Sequence, residues 1–231
     1  MSRLGKAILV SACALFLGGC ATTMDKKATS VDWSKGSVLV MSVSMTNEYK
    51  PNYGPTSLGV ILVKPNANNR VAMVGEVAPG TNTAIINMQI APGTYTVRRL
   101  IGHSRKVLIN GMIDFAVDAP FTVEPKTVVY LGHVDLVNKE KSDKNDQSSG
   151  AAIPLIDQAV TGFGTGALAV AMRDDYERDV AQFKSEYPSM QGLDVVRAPL
   201  KKMTLERATG SSAAVIVINA VSKVSETALV K

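Results

Sequence analysis

The sequence contains two histidines, and one of them has a carboxylate two residues further along the chain. His133 and Asp135 lie in the segment 127–137, whose β-branched and apolar residues predict a strand. Strict alternation would place both side chains on the face that carries Val129 and Leu131. Asp135 could then orient the His133 imidazole for general-base catalysis, although no Gly-x-Ser-x-Gly motif marks a serine nucleophile. The alternative is a pair of half-exposed residues on the solvent side of a sheet.

The other groups of polar side chains do not point to a metal site or to a catalytic pair. A zinc site needs three or four ligands, which His103 and His133 without a structural thiol do not supply, so we predict no metal and no cofactor. Four carboxylates begin a predicted helix, where the helix dipole favours negative charge. They are Asp174, Asp175, Glu177 and Asp179. We interpret them as helix-stabilising residues, with an acid/base pair or a calcium site as the alternative.

The densest basic patch consists of four residues around one predicted strand, turn and strand: Arg98, Arg99, Arg105 and Lys106. This patch is a candidate site for an anionic partner such as lipid headgroups or peptidoglycan carboxylates. Alternation along a strand would put Arg98 and Arg99 on opposite faces, which weakens a single binding surface. The net charge of +5 over 231 residues is small and scattered, so we predict no nucleic-acid partner.

The N-terminus has the three parts of a secretory signal. Arg3 and Lys6 supply the positive region, residues 7–16 form an apolar run, and small residues follow. The apolar run is too short for a stable membrane span. The alternative is a buried N-terminal helix.

The end of this signal, Leu17-Gly18-Gly19-Cys20, resembles the lipobox of bacterial lipoproteins. The resemblance implies cleavage after Gly19 and lipidation of Cys20, so that acyl chains hold the protein on the membrane without a transmembrane helix. Because Ala21 rather than Asp follows the cysteine, the resemblance also implies the outer membrane, with the domain facing the periplasm. Cys13 leaves with the signal, so no thiol remains for a disulfide.

The mature chain is predicted to contain one folded domain, because 46% hydrophobic residues with only 19% charged residues can form a core. Residues 1–19 are the signal, 20–36 a flexible lipidated tether, and 37–231 the domain, with a polar loop at 138–150. Strand patterns separated by turn residues recur at 37–45, 58–63, 70–78, 83–90, 94–101, 106–117, 121–123, 127–137, 168–172, 194–197 and 215–218. Asn110-Gly111 predicts a tight turn or a bulge. This spacing indicates a mainly β fold, an antiparallel β-sandwich.

One amphipathic helix is predicted over 174–187. Its apolar stripe consists of Tyr176, Val180, Phe183 and Tyr187. Asp174 can cap the first turn together with Glu177, and Pro188 ends the helix. Before the helix, residues 151–172 form a flexible apolar insert that leads into a strand.

The middle of the chain carries a combination of turn and strand motifs. They are Pro92-Gly93-Thr94-Tyr95-Thr96-Val97, Phe121-Thr122-Val123-Glu124-Pro125 and Val129-Tyr130-Leu131-Gly132. Together they resemble the transthyretin-like or carboxypeptidase-regulatory-like β-sandwich modules, over about residues 37–137, and bacterial lipoproteins built on such a module. The resemblance implies an Ig-like or transthyretin-like sandwich that binds or scaffolds and has no catalytic residues. The sequence departs from the pattern after Lys139, where the insert and the helix follow.

Three functions are compatible with these observations. The first is a non-enzymatic, lipid-anchored binding or scaffolding module with an envelope protein or peptidoglycan as its partner. The second is a hydrolase of envelope material that uses His133 and Asp135, which requires a pocket with a nearby nucleophile. The third is an inhibitor or assembly chaperone, which requires an exposed strand edge.

Overall fold

A computed structural model of the chain describes residues 23–65, 70–143, 146, 148–150 and 156–200, together with the backbone of 217–219. The predicted signal peptide, the cleavage site at Gly19 and the lipidation site at Cys20 lie outside these residues. Within them, the alternating segments of the sequence form strands, because the side chains on one face of each strand enter a hydrophobic core.

Strands make up most of the regular structure in the described ranges. They are β1 (Ser37–Asn47), β2 (Ser57–Val63), β3 (Arg70–Glu76), β4 (Thr83–Ile90), β5 (Gly93–Lys106), β6 (Ile109–Val123), β7 (Val128–Glu140), β8 (Gly166–Arg173), β9 (Val195–Arg197) and β10 (Val217–Asn219). The helices there are α1 (Ile156–Val160) and α2 (Tyr176–Glu186), and short 3-10 helices cover Trp33–Lys35 and Pro188–Met190. The predicted strands at 106–117 and 121–123 belong to one long strand, β6.

The strands form two sheets that pack face to face as a β-sandwich. The larger sheet has the order β10-β8-β7-β1-β4, with β9 beside β7, and the smaller sheet has the order β3-β2-β5-β6. The predicted mainly β sandwich with one amphipathic helix is confirmed. The larger sheet is mixed rather than antiparallel throughout, because β1 and β9 run parallel to β7 and β10 runs parallel to β8.

The main hydrophobic core lies between the two sheets. From β1 it receives the alternate residues Leu39, Met41, Val43 and Met45, and from the smaller sheet it receives Leu58, Val60, Leu62, Val97, Leu100, Phe115 and Val117. All residues of β1 from Ser37 to Met45 are buried, including those that point away from this core. Both faces of the larger sheet are therefore covered.

Helix α2 covers the outer face of the larger sheet and creates a second, smaller core. The predicted apolar stripe of the helix is confirmed, because its residues pack with Val38 and Val40 of β1 and with Val128 and Tyr130 of β7. Rings of Phe183 and Tyr187 pack at a centroid distance of 4.8 Å within this core. The sandwich thus has three layers on this side, the smaller sheet, the larger sheet and the helix.

The predicted capping role of Asp174 is wrong. Asp175 occupies the N-cap position of α2 and makes no capping hydrogen bond with its side chain. Asp174 instead accepts a hydrogen bond from Arg197 Nε at 2.7 Å, because β9 brings that guanidinium beside the start of the helix.

The turn between β5 and β6 lies at Val107 and Leu108 rather than at the predicted Asn110-Gly111. Gly111 is part of β6, and a Cβ at this position would lie 2.5 Å from the Thr161 hydroxyl oxygen. Glycine is therefore needed here for the close approach of another segment, and not for a turn. The turn is made by Leu108, whose φ is 65°.

The predicted tether at 20–36 packs against the domain from its first described residues. Met24 is only 7% exposed in the second core, and its backbone N–H donates to Asn87 Oδ1 at 3.3 Å. Further along, Gln89 Nε2 donates to the Asp32 carbonyl at 2.8 Å, and half-buried Trp33 packs against the same core. The flexible character expected for residues 23–36 is thus corrected.

The predicted flexible insert contains helix α1, which protects one end of strand β6. The Gln158 side chain accepts from the Met112 N–H at 2.9 Å and donates to the Met112 carbonyl at 3.1 Å. This amide therefore occupies the place of a neighbouring strand. Residues 151–155 of the insert lie outside the described ranges.

No helix among the described residues has the length and apolar character needed to cross a membrane.

Candidate functional site

A β-bulge at Gly132 determines which way the His133 side chain points. Val40 of β1 pairs with Tyr130 of β7, but Ser42, two residues later, pairs with His133, three residues later. The extra residue is accommodated by Gly132, whose φ is 99°. Tyr130 and His133 therefore point to the same side of the sheet.

The bulge corrects the expected faces of β7. Val129 and Leu131 enter the core between the sheets, whereas His133 and Asp135 point the other way, towards α2. The alternative of a half-exposed histidine on the solvent side is also wrong, because His133 is 1% exposed. Glycine inside a strand is the sequence signal for such a bulge.

Both ring nitrogens of His133 contact serine hydroxyls from β1. Nδ1 lies 2.6 Å from Ser42 Oγ, and Nε2 lies 2.9 Å from Ser44 Oγ. A guanidinium nitrogen of Arg178 also lies 3.1 Å from Nδ1. Because a guanidinium can only donate, we assign Nδ1 as the acceptor, which leaves the proton on Nε2 and directs it to Ser44. The Ser42 hydroxyl then has one proton for two acceptors, Nδ1 and the Asp179 carboxylate.

The serines connect the imidazole to two carboxylates. Ser44 Oγ donates to Asp135 Oδ1 at 2.5 Å, and Ser42 Oγ is hydrogen-bonded to Asp179 of α2. The Tyr130 hydroxyl donates to Asp179 Oδ2 at 2.6 Å. We call the six residues of this network the polar clamp: Ser42, Ser44, Tyr130, His133, Asp135 and Asp179.

Arginines balance the charge of the polar clamp. Arg178 donates to Asp179 Oδ1 from two nitrogens, at 2.7 and 2.9 Å, and forms an ion pair with Asp175 at 2.9 Å. Arg173 lies 3.7 Å from Asp135. The Asp179 side chain is only 2% exposed, so removing its partners would leave a buried charge.

Burial and these charges set the protonation of the clamp. Burial lowers the pKa of His133 below its ordinary value; Asp179 opposes this shift, whereas Arg173 and Arg178 reinforce it. Burial, followed by the hydrogen bond to Asp179, raises the pKa of the Tyr130 hydroxyl. The clamp therefore holds a neutral imidazole and a neutral phenol at neutral pH.

The order of groups in the clamp is carboxylate, serine, imidazole, serine, carboxylate. A serine hydrolase instead needs an exposed nucleophile on one imidazole nitrogen and an orienting carboxylate on the other. Here Ser42 is 0% and Ser44 4% exposed, and serines occupy both nitrogens. The clamp instead links α2 to the larger sheet, because Asp179 of the helix is hydrogen-bonded to Ser42 of β1 and Tyr130 of β7.

Several clamp residues were not anticipated from the sequence. Asp179 is one of the four acids that the sequence pattern marks as helix-stabilising, and Ser42 and Ser44 lie within the strand predicted at 37–45. The spacing of the two serines is the signal that the sequence does contain. Ser42 and Ser44 alternate with residues of the main core, so they lie on the opposite face of β1, which also carries Val38 and Val40. Small polar residues on such a face require a buried polar partner.

The basic patch of the sequence falls into two separate groups. A register shift between Val97 and Arg99 interrupts the alternation, and Arg98 and Arg99 each pair with a carboxylate of β6. Arg98 lies 3.9 Å from Asp118, and Arg99 is hydrogen-bonded to Asp114. Because these acids share one face of β6, the expected separation of the two arginines on opposite faces is wrong.

Arg105 and Lys106 form the second group, at the end of the β5–β6 hairpin. Both are exposed, and Lys106 Nζ lies 5.4 Å from the centroid of the Tyr53 ring. The two cations line an open depression together with Tyr53, Val107 and Ile109. The prediction of an anionic partner stays a prediction, but only this half of the patch is directed into solvent beside apolar side chains.

Within the described ranges, no three His, Cys, Asp or Glu side chains are placed so that they could hold a metal ion. No family model, no curated protein and no solved structure matches the chain.

Proposed function

We propose that this chain is a lipid-anchored, non-enzymatic envelope protein that binds or scaffolds a partner in the periplasm. In this proposal Cys20 carries the lipid after cleavage at Gly19, and the acyl chains lie in the outer membrane. The support is the signal-like N-terminus with its lipobox resemblance and the packing of the residues that follow it.

The observation that carries the proposal is the burial of Met24, four residues after Cys20. A chain extends at most about 3.5 Å per residue, so the three steps from Cys20 to Thr23 span at most about 10 Å. A lipid on Cys20 would therefore hold the sandwich directly at the bilayer surface. A connection this short suits a module that presents a fixed surface at a fixed distance from the bilayer.

The polar clamp supports a binding role rather than hydrolysis. Its two serines are buried, and both are already hydrogen-bonded to a carboxylate. The energetic role of such a network is to fix one position of α2 on the sheet. A rigid helix and sheet are what a binding or scaffolding module requires.

The strand edges give less support to the alternative of an inhibitor or chaperone. One edge strand is β6, where Gln158, Ser149 and Gly150 cover Met112 to Asp114 and where Pro120 removes a backbone donor. Asp114 and Asp118 add charge along the same strand. Proline and charged residues are the features that keep an edge strand from pairing with another chain.

Cell fractionation of Cys20→Ser tests the proposal. We expect the parent to partition with outer membranes and to incorporate a labelled fatty acid, and we expect the variant to lose both properties. Cys13→Ser is the matched control, because that cysteine belongs to the predicted signal, and it should behave as the parent. A Cys20→Ser protein that stays in the membrane at the parental mass would overturn the proposal. If the lipid anchorage is confirmed, crosslinking in intact envelopes identifies the partner.

A further inference from the structure

The three most exposed large apolar side chains of the described residues occur at one end of the sandwich. Leu108 is 94%, Val107 90% and Ile156 82% exposed. Val107 and Leu108 form the turn of the β5–β6 hairpin. Ile156 begins α1 and lies beside that hairpin, because its neighbour Asp157 accepts a hydrogen bond from the Asn110 N–H at 3.0 Å. We call these three residues the apolar tip.

The backbone of the turn directs its apolar side chains outward. Lys106 pairs with Ile109, so only two residues connect a long, continuous hairpin. Leu108 adopts a φ of 65°, a left-handed conformation that is unfavourable for a bulky residue and that usually carries Gly or Asn. The tip thus combines a strained conformation with exposed apolar side chains, at a position where polar turn residues would cost less.

A basic and aromatic rim lies directly behind the apolar tip. Arg105 and Lys106 precede Val107, and the Lys106 ammonium lies over the Tyr53 ring. The nearby carboxylate of Asp157 is engaged by the Asn110 N–H. Apolar side chains at the apex, with cations and a tyrosine behind them, match the depth profile of an anionic bilayer surface.

The N-terminal segment approaches the same end of the sandwich. Thr23 lines a cavity together with residues of the segment that connects β3 to β4, among them Val77 and Pro79. That connection is tied to the hairpin, because Val77 N–H donates to the Thr56 carbonyl and Thr56 N–H donates to the His103 carbonyl of β5. Thr23, the first described residue after the proposed anchor, therefore lies towards the same end of the sandwich as the apolar tip.

We propose that the apolar tip inserts into the interface of the bilayer that holds the lipid anchor, with Arg105 and Lys106 on anionic headgroups. This inference rests on the proposed lipid anchorage for its orientation. It adds a second membrane contact, which fixes the sandwich with its Val107–Leu108 end on the bilayer. The opposite end, at β9 and the start of β7, then points into the periplasm.

The experiment places a fluorescent probe at the tip of the lipidated full-length mature protein. Leu108→Cys introduces one free thiol, since the Cys20 sulfur is blocked by lipid, and an environment-sensitive fluorophore is attached there. Val196→Cys is the matched control, because Val196 is a 49% exposed apolar residue at the opposite end. Both proteins are reconstituted in phosphatidylethanolamine vesicles that contain phosphatidylglycerol and a lipid with a brominated acyl chain.

We expect a blue shift and quenching of the probe at 108 and neither effect at 196. Replacing phosphatidylglycerol with phosphatidylcholine should reduce the quenching at 108, because it removes the anionic headgroups. Protein that floats with the vesicles while the probe at 108 stays unquenched would overturn the inference and leave the lipid anchorage intact. A crosslink from position 108 to another protein in intact envelopes, without quenching, would overturn it in favour of a protein partner.

Failure of the lipid anchorage gives a different result. If mass spectrometry finds no lipid on Cys20, the labelling is repeated with Cys20→Ser added, so that 108 again carries the one thiol. Quenching of that probe would mean that the membrane contact of the tip stands without the anchor. If the protein lacks lipid and does not float with the vesicles, both proposals fall.

Discussion

His133 Nε2 and Ser44 Oγ lie 2.9 Å apart although the two residues are separated by 89 positions in the chain. The parallel pairing of β1 with β7 makes this contact possible, because it sets Ser44 opposite Asp135 and Ser42 opposite His133. The hydroxyl then connects the imidazole to a carboxylate that the ring does not touch directly. Helix α2 adds Asp179 to the other end of the same network.

We expect stability to fall on acidification through His133. The folded pKa of His133 is lowered, mainly by burial, so the unfolded chain binds a proton more readily than the folded chain. Stability is therefore present at neutral pH and is lost as the pH falls below the unfolded value of about 6.5, at up to about 1.4 kcal/mol per pH unit. Chemical denaturation of the parent and of His133→Gln between pH 8 and pH 5 measures this slope.

The His133→Gln variant should be less stable at pH 8 but should lose less stability on acidification. The slope is the quantity to compare, since glutamine also changes the hydrogen bonds of the clamp. His103→Gln separates any contribution of the other histidine. Equal slopes for the parent and His133→Gln would show that His133 does not carry the acid sensitivity.

Asp179→Ala should destabilise the fold by about 3 kcal/mol, because it leaves the buried Tyr130 hydroxyl without its acceptor and removes the carboxylate that pairs with Arg178. Glu177→Ala is the matched control on the same helix. The Glu177 side chain is 78% exposed, so its removal should change stability by less than about 0.5 kcal/mol. Urea unfolding measures both, and similar losses in the two variants would contradict a special role of Asp179.

Gly132→Ala should disturb the bulge that orients His133. The φ of 99° is unfavourable for alanine, and a Cβ would lie 3.1 Å from the Arg173 carbonyl oxygen. We expect a loss of about 2 kcal/mol. Gly80→Ala separates the backbone strain from the close contact, because Gly80 has a φ of 77° but no atom within 4 Å of the added Cβ. Gly80→Ala should lower the free energy of unfolding by less than Gly132→Ala does. An equal loss of stability would mean that the contact at Gly132 contributes nothing.

Met24→Ala should release the segment that connects the proposed lipid anchor to the domain. Loss of the buried side chain costs about 2 kcal/mol of local stability. Trypsin should then cleave after Lys26 and Lys27 at least roughly tenfold faster, because cleavage follows the population of the open segment. Exposed Thr23 provides the control Thr23→Ala. Unchanged cleavage would indicate that Met24 does not hold the segment.

Local patterns predicted much of the secondary structure. Alternating apolar residues mark β1, β4 and β8 within one or two residues of their observed limits, and the helical stripe marks α2, because these periodicities arise from neighbours along the chain. The turn at Val107–Leu108 was missed because nothing in those residue types indicates a turn. The packed course of residues 23–36 was missed because its partners, Asn87 and the second core, are distant in sequence.

The sequence by itself determined which segments alternate, where the amphipathic helix lies, and that the N-terminus resembles a lipoprotein signal. Only the tertiary structure decided that His133 faces α2, because that direction depends on a bulge in the pairing of β7 with β1. It also decided that Ser42, His133 and Asp179 meet. Pairing register and helix docking are set by burial across the whole molecule, and no short stretch of residues contains that information.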